Sequence, residues 1–120
     1  MEDKDSQNPL TELVLLAMDS LDLAVSIIDN RGTLLYYNRQ AAKILDRQPA
    51  YLGGDIHLHH KRETTNQRLD DMLLEFWAGR TEPFHYEARP YGETILVTLT
   101  PLRKDGQFLG CLHSVRPKKD

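Results

Sequence analysis

Three histidines are the most prominent chemistry-bearing residues of this chain: His57, His59 and His60, set in HLHHKRE. Neutral imidazole is the commonest metal ligand and binds haem iron axially. The spacing matches no known metal box. His57 and His59 share a side only in an extended segment, and the adjacent His59 and His60 do not easily face one ion. The plainer reading is a loop or helix start whose histidines cap backbone groups or line a cavity mouth. If one of them holds a metal or haem iron, His60 is the candidate, because it lies just ahead of a long helix. Cys111 and His113 are a second pair. Two apart on an expected strand, they face the same way, and a thiol beside an imidazole can be reactive. No third orienting group or oxyanion hole accompanies them, and a free cysteine on an apolar strand usually packs.

Lys61, Arg62, Arg68, Arg80 and Arg89 could supply an anion site, since an arginine fork matches a carboxylate. Solvated surface charge is the alternative for each. Tyr36, Tyr86, Tyr91 and Trp77 are amphipathic aromatics able to line a pocket with one polar tip each. Trp77 also falls on a helix stripe, where it reads as core. Gly53-Gly54 is too short for a phosphate-cradling loop, so nucleotide hydrolysis has no support.

The elements that must position these residues follow from the hydropathy pattern. Residues 1–8 read as a disordered, polar N-terminus. Residues 9–21 read as an amphipathic helix opened by Pro9, with Leu10, Leu13, Val14, Ala17 and Leu21 on one face. Leu15, Leu16 and Met18 widen that face beyond what one contact needs. The helix either covers its own domain or also pairs with a second subunit. The stretch LDLAVSIIDNRGTLLYYNRQAAKIL then reads as strand, turn at Asn30-Arg31-Gly32, strand from Leu34 to Tyr37, and a helix N-capped by Asn38.

Irregular chain follows, broken by Pro49, Gly53 and Gly54. The spacing predicts a helix from about Thr65 to Ala78, with Leu69, Met72, Leu73, Phe76 and Trp77 on one stripe and Gly79 ending it. Three strands remain: around Phe84–Ala88, from Thr94 to Leu102, and from Phe108 to Val115. Turns at Pro90-Tyr91-Gly92 and Lys104-Asp105-Gly106 separate them. Strict alternation on the last strand puts Leu109, Cys111 and Val115 on one side and Phe108 and Leu112 on the other. Both sides are apolar, so both faces of that strand need cover. Residues 117–120 are a charged tail.

At 120 residues the chain is one domain with a single core. The formal net charge of −3 argues against a general nucleic-acid binder. One cysteine cannot make an internal disulfide, which favours a reducing compartment. No apolar run approaches the roughly 18 residues of a membrane span. The acidic MEDKDSQNP start is unlike a secretory signal. A cytoplasmic location is expected.

The pattern resembles the PAS domain, a sensory module, of a bacterial and archaeal type. IIDNRGTLLYYNRQAAKIL, LGGDI at 52–56 and DGQFLGCLHSV at the end carry the resemblance, over about Leu23 to Val115. It implies an α+β fold with residues 22–116 as the PAS domain. A five-stranded antiparallel sheet, in strand order 2-1-5-4-3, would carry helices on one face around a cavity bounded by residues 38–78, with the N-terminal amphipathic helix as an addition. The absence of a cysteine between Leu52 and Arg68 argues against a flavin photo-adduct.

The leading expectation is a signal-transduction module. It binds a small ligand in its cleft, dimerises through the N-terminal helix or the outer sheet face, or does both, and thereby regulates a signalling partner. The candidate cofactor- or ligand-binding residues are His57, His59, His60, Tyr36, Trp77, Tyr86, Cys111 and His113, with His60 the candidate metal ligand. A haem- or metal-based redox or gas sensor using the His57–His60 segment is the alternative. A small enzyme using the cleft is a third reading.

Overall fold

The computed structural model describes residues 8–45, 47–56, 63–89 and 92–118. Helix α1 (Pro9–Ser20) starts where the Asn8 side chain accepts from Leu10 N and Pro9 occupies the first turn. Strands β1 (Ala24–Asp29) and β2 (Leu34–Tyr37) form a hairpin. In its turn, Asp29 Oδ1 accepts from Arg31 N and Thr33 N, and Gly32 takes a φ of 93°. Helix α2 (Arg39–Ile44) follows, then a single 3-10 turn at Pro49–Tyr51 and helix α3 (Glu63–Trp77). Strands β3 (Phe84–Ala88), β4 (Ile95–Lys104) and β5 (Gln107–Pro117) complete the chain. Asp105 and Gly106, with φ of 52° and 80°, make the tight β4–β5 turn.

All pairings are antiparallel and the order is β2-β1-β5-β4-β3, as expected. Residues 53–56 run along the free edge of β2, with Leu34 N donating to Gly54 O and Gly53 N to Leu34 O. That blunts one sheet edge.

The main core lies between the sheet and α3. Leu69, Met72, Leu73 and Phe76 of α3 bury against Ile28, Leu34, Leu99, Phe108 and Cys111. The Phe76 ring stands 5.2 Å from Phe84 and 5.6 Å from Phe108, both tilted. A second apolar cluster, Ala24, Ala41, Ile95, Val97 and Val115, packs beneath α2. The α3 helix ends in a Schellman motif: Gly79 N bonds Phe76 O and Arg80 N bonds Glu75 O, with Gly79 at φ 115°. Arg103 of β4 also donates to Phe76 O and Arg80 O, locking the end of α3 to the β4–β5 hairpin.

Three expectations are corrected. The long helix is Glu63–Trp77 rather than 65–78. Trp77 is not core: it is 54% exposed, because it lies at the flank of the stripe made by Leu69, Met72, Leu73 and Phe76 rather than at its centre. It is held by its indole N–H donating to Asn30 O and by an edge contact on Phe108 at 5.3 Å. The faces of β5 also do not alternate strictly. The pairing steps from Leu102↔Gly110 to Arg103↔Phe108, so Leu109 is an extra, bulged residue. Phe108 therefore shares the buried inner face with Cys111 and Val115, and Leu109 is exposed.

Candidate functional site

The inner face of the sheet, toward α3, carries a polar row between its two apolar clusters. Register sets it: Ser26 pairs with His113, and His113 with Leu99. Ser26 is wholly buried, and Arg47, 6% exposed, donates Nε–H to Ser26 Oγ at 3.4 Å. The hydroxyl and the guanidinium thus meet where water is scarce and electrostatics are strong, with His113 beside Ser26 in the strand register.

Beside this row a groove of about 530 Å³ opens between α3 and the edge strand β3. It is lined by Arg68, Asp71 and Met72 from the helix and by Phe84, His85 and Tyr86 from the strand. The α3 stripe explains the division. Met72 faces the core, whereas Arg68 and Asp71 flank it and stay exposed. The Arg68 guanidinium lies 4.9 Å from the centre of the Tyr86 ring. Gln67 Nε2 donates to Asp71 Oδ1 at 2.9 Å, one helical turn away. Burial raises the Tyr86 phenol above its ordinary pKa, and the Arg68 charge pulls the other way. The outer sheet face has a smaller hollow of about 350 Å³, lined by Leu23, Glu87, Leu96, Thr98, Ser114 and Arg116 among others.

Of the residues singled out from sequence, Tyr86, Cys111 and His113 share the inner face. Tyr36 does not. It pairs with Ile27 on the outer face, where burial and the negative charge of Asp19 raise its pKa. Trp77 is at the far rim, beyond the groove. His57, His59 and His60 lie outside the described residues, as do Lys61, Arg62 and Tyr91. Among the described residues no group of three or more His, Cys, Asp or Glu is placed to hold a metal ion. Arg80 stacks 3.7 Å over Phe84 and donates to Glu82 O and Pro83 O, and Arg89 donates to Gly92 O. Both hold loops together.

Ser26 and Arg47 were missed. Ser26 carried a signal, a polar residue in an apolar strand at an inner position. Arg47 carried none, because it lies in irregular chain.

Cys111 and His113 face the same way, but Cys111 is fully buried among Ile28, Leu99 and Phe108. Burial pushes its thiol up to about 12. At pH 8 only about one thiol in ten thousand would then be ionised. The expected result is that a thiol-specific disulfide reagent leaves the native protein essentially unlabelled at pH 8 and labels it stoichiometrically in urea. Rapid labelling of the native protein would contradict the buried placement.

A family model for the PAS domain matches residues 15–115. The chain belongs to the PAS domain family. Solved PAS domains agree at the level of fold. That of Bordetella pertussis BvgS is 16% identical, with a TM-score of 0.72 over 94% of this chain and 89% of its own. A PAS domain from Colwellia psychrerythraea is 12% identical, with a TM-score of 0.69 over 91% and 97%. The PAS domain of histidine kinase ThkA is 14% identical, with a TM-score of 0.60 over 78% and 96%. No curated protein matches the chain. Among the described residues no helix is long and apolar enough to cross a membrane.

Proposed function

We propose that this PAS domain is a sensory module that pairs with a second copy through α1 and couples a small guest, held between α3 and the sheet, to a signalling partner. The observation that carries this reading is α1. None of its twelve residues is buried. Leu10, Leu13 and Leu16 are 68%, 63% and 61% exposed, and Val14 and Leu15 are exposed as well. A contiguous apolar helix face open to water marks an interaction surface. The end of the helix is nonetheless fixed to the domain: Asn38 Nδ2 donates to Met18 O, and Arg39 N donates to Asp19 Oδ1. A partner seated on α1 would therefore sense shifts in β1 and α2 through direct hydrogen bonds. The likeness to the PAS domain of histidine kinase ThkA favours a kinase-type output.

The test is light scattering on the purified chain. Wild type is expected at twice 13.8 kDa. Leu13→Asp and Leu16→Asp are each expected to give a monomer whose urea midpoint, unlike that of the wild type, does not rise with protein concentration. A wild-type protein that stays monomeric at high concentration would contradict the pairing.

A further inference from the structure

We propose that the guest of the α3–β3 groove is a small apolar monocarboxylate, received by the Arg68 guanidinium and the Tyr86 hydroxyl, with its body on Met72 and Phe84. The assignment rests on the reading of this groove as the guest site of a sensory module. It goes beyond that reading by naming the ligand chemistry.

Arg68 stands apart from its neighbours. Arg80, Arg89 and Arg103 all spend N–H groups on backbone carbonyls, and Lys118 pairs with Glu87 at 2.6 Å. Arg68 stacks on the Tyr86 ring at 4.9 Å, and among the described residues it makes no hydrogen bond and no ion pair. A cation–π contact forms no N–H···O bond, so the N–H donors of Arg68 remain for a carboxylate, which a guanidinium can meet in a two-point fork. The Tyr86 hydroxyl likewise has no hydrogen-bond partner among the described residues. Its raised pKa keeps it a neutral phenol, hence a donor, throughout the physiological range. Arg68 and Tyr86 line one groove, and between them they supply the charge and the hydrogen-bond donors that one carboxylate needs.

The remaining walls narrow the class. Met72 and Phe84 provide an apolar floor, which favours a hydrocarbon or aromatic body over acetate. The Asp71 carboxylate, held by Gln67, shares the groove with Arg68 and disfavours a second negative charge, which selects against phosphate dianions. The volume of about 530 Å³ lies within the range of about 300–1,000 Å³ common to small-molecule sites.

The test is an amide chemical-shift titration of the full chain with benzoate, with benzyl alcohol and inorganic phosphate as comparison arms. Benzoate is expected to shift the amides of Arg68, Met72, Phe84 and Tyr86 saturably, and neither comparison compound to do so at the same concentration. Arg68→Gln is expected to weaken benzoate tenfold or more and Tyr86→Phe several-fold. Arg68 is exposed, so Arg68→Gln keeps the wild-type unfolding midpoint. Equal binding of benzyl alcohol or phosphate, an unaffected Arg68→Gln variant, or the absence of any saturable shift would each overturn the assignment. Failure here beside a dimer in light scattering removes the ligand class alone. Benzoate binding by a monomer removes the pairing alone.

Discussion

Asn38→Ala is expected to lower the unfolding free energy by about 3 kcal/mol, a large share of what a domain of this size has. The side chain is 1% exposed and makes four hydrogen bonds. Its Oδ1 accepts from Val25 N at 2.9 Å and from Ala41 N at 3.0 Å. Its Nδ2 donates to Met18 O at 2.7 Å and to Leu23 O at 2.9 Å. One residue thus caps α2, starts β1 and anchors the end of α1. Alanine removes a cap, worth about 1 kcal/mol, and strands buried backbone groups at about 1–3 kcal/mol in all. Asn38→Asp keeps the acceptor but sets a carboxylate against two carbonyl oxygens, so it is expected to lose stability as the pH rises through the carboxylate range. Urea unfolding reads both. The expected signature is a lower midpoint at an unchanged m-value, and a loss below about 1 kcal/mol would contradict the hub role of Asn38.

Gly110→Ala is expected to be at least as damaging, about 3 kcal/mol or enough to prevent folding. A Cβ at Gly110 would overlap the Ile28 carbonyl oxygen and stand 3.1 Å from Asp29 Cα. These are backbone atoms of β1, which is held between β2 and β5 and cannot give way. The bulge at Leu109 is next door, so the strand has one extra residue to place while approaching its neighbour this closely. Leu109→Ala is the control, because its exposed side chain removes little apolar burial. Thermal unfolding of the two variants separates the cases. A Gly110→Ala protein as stable as Leu109→Ala would contradict the close approach.

Much of the fold was legible because its signals are local. Period-two alternation marks β3 and β4, the Asn30-Arg31-Gly32 cluster marks the first turn, and Asn38 stands where a cap belongs. The order of those elements carries the resemblance that implied the sheet topology. What escaped was set by non-local geometry. A single bulged residue inverts the parity of Phe108 relative to Cys111, and no pattern in QFLGCLHSV announces it except the adjacent glycine. Helical periodicity put Trp77 on the buried stripe, but the residue falls at the flank of that stripe, where its ring meets Asn30 and the edge of Phe108.

The candidate site was less legible than the fold. Arg68 and Tyr86 were each noticed as types, yet their stacking joins α3 to β3 across a loop whose path the sequence does not specify. Arg47 reaches Ser26 from irregular chain for the same reason. The histidine segment that drew most notice lies outside the described residues, so the site rests on other groups.

The pairing through α1 is tested most directly by hydrogen exchange on the wild-type chain at low and high protein concentration. The expected result is that amides of residues 10–20 exchange markedly more slowly at high concentration and that Leu13→Asp abolishes the difference. Exchange in α1 that is fast and independent of concentration would contradict a second copy seated on that helix.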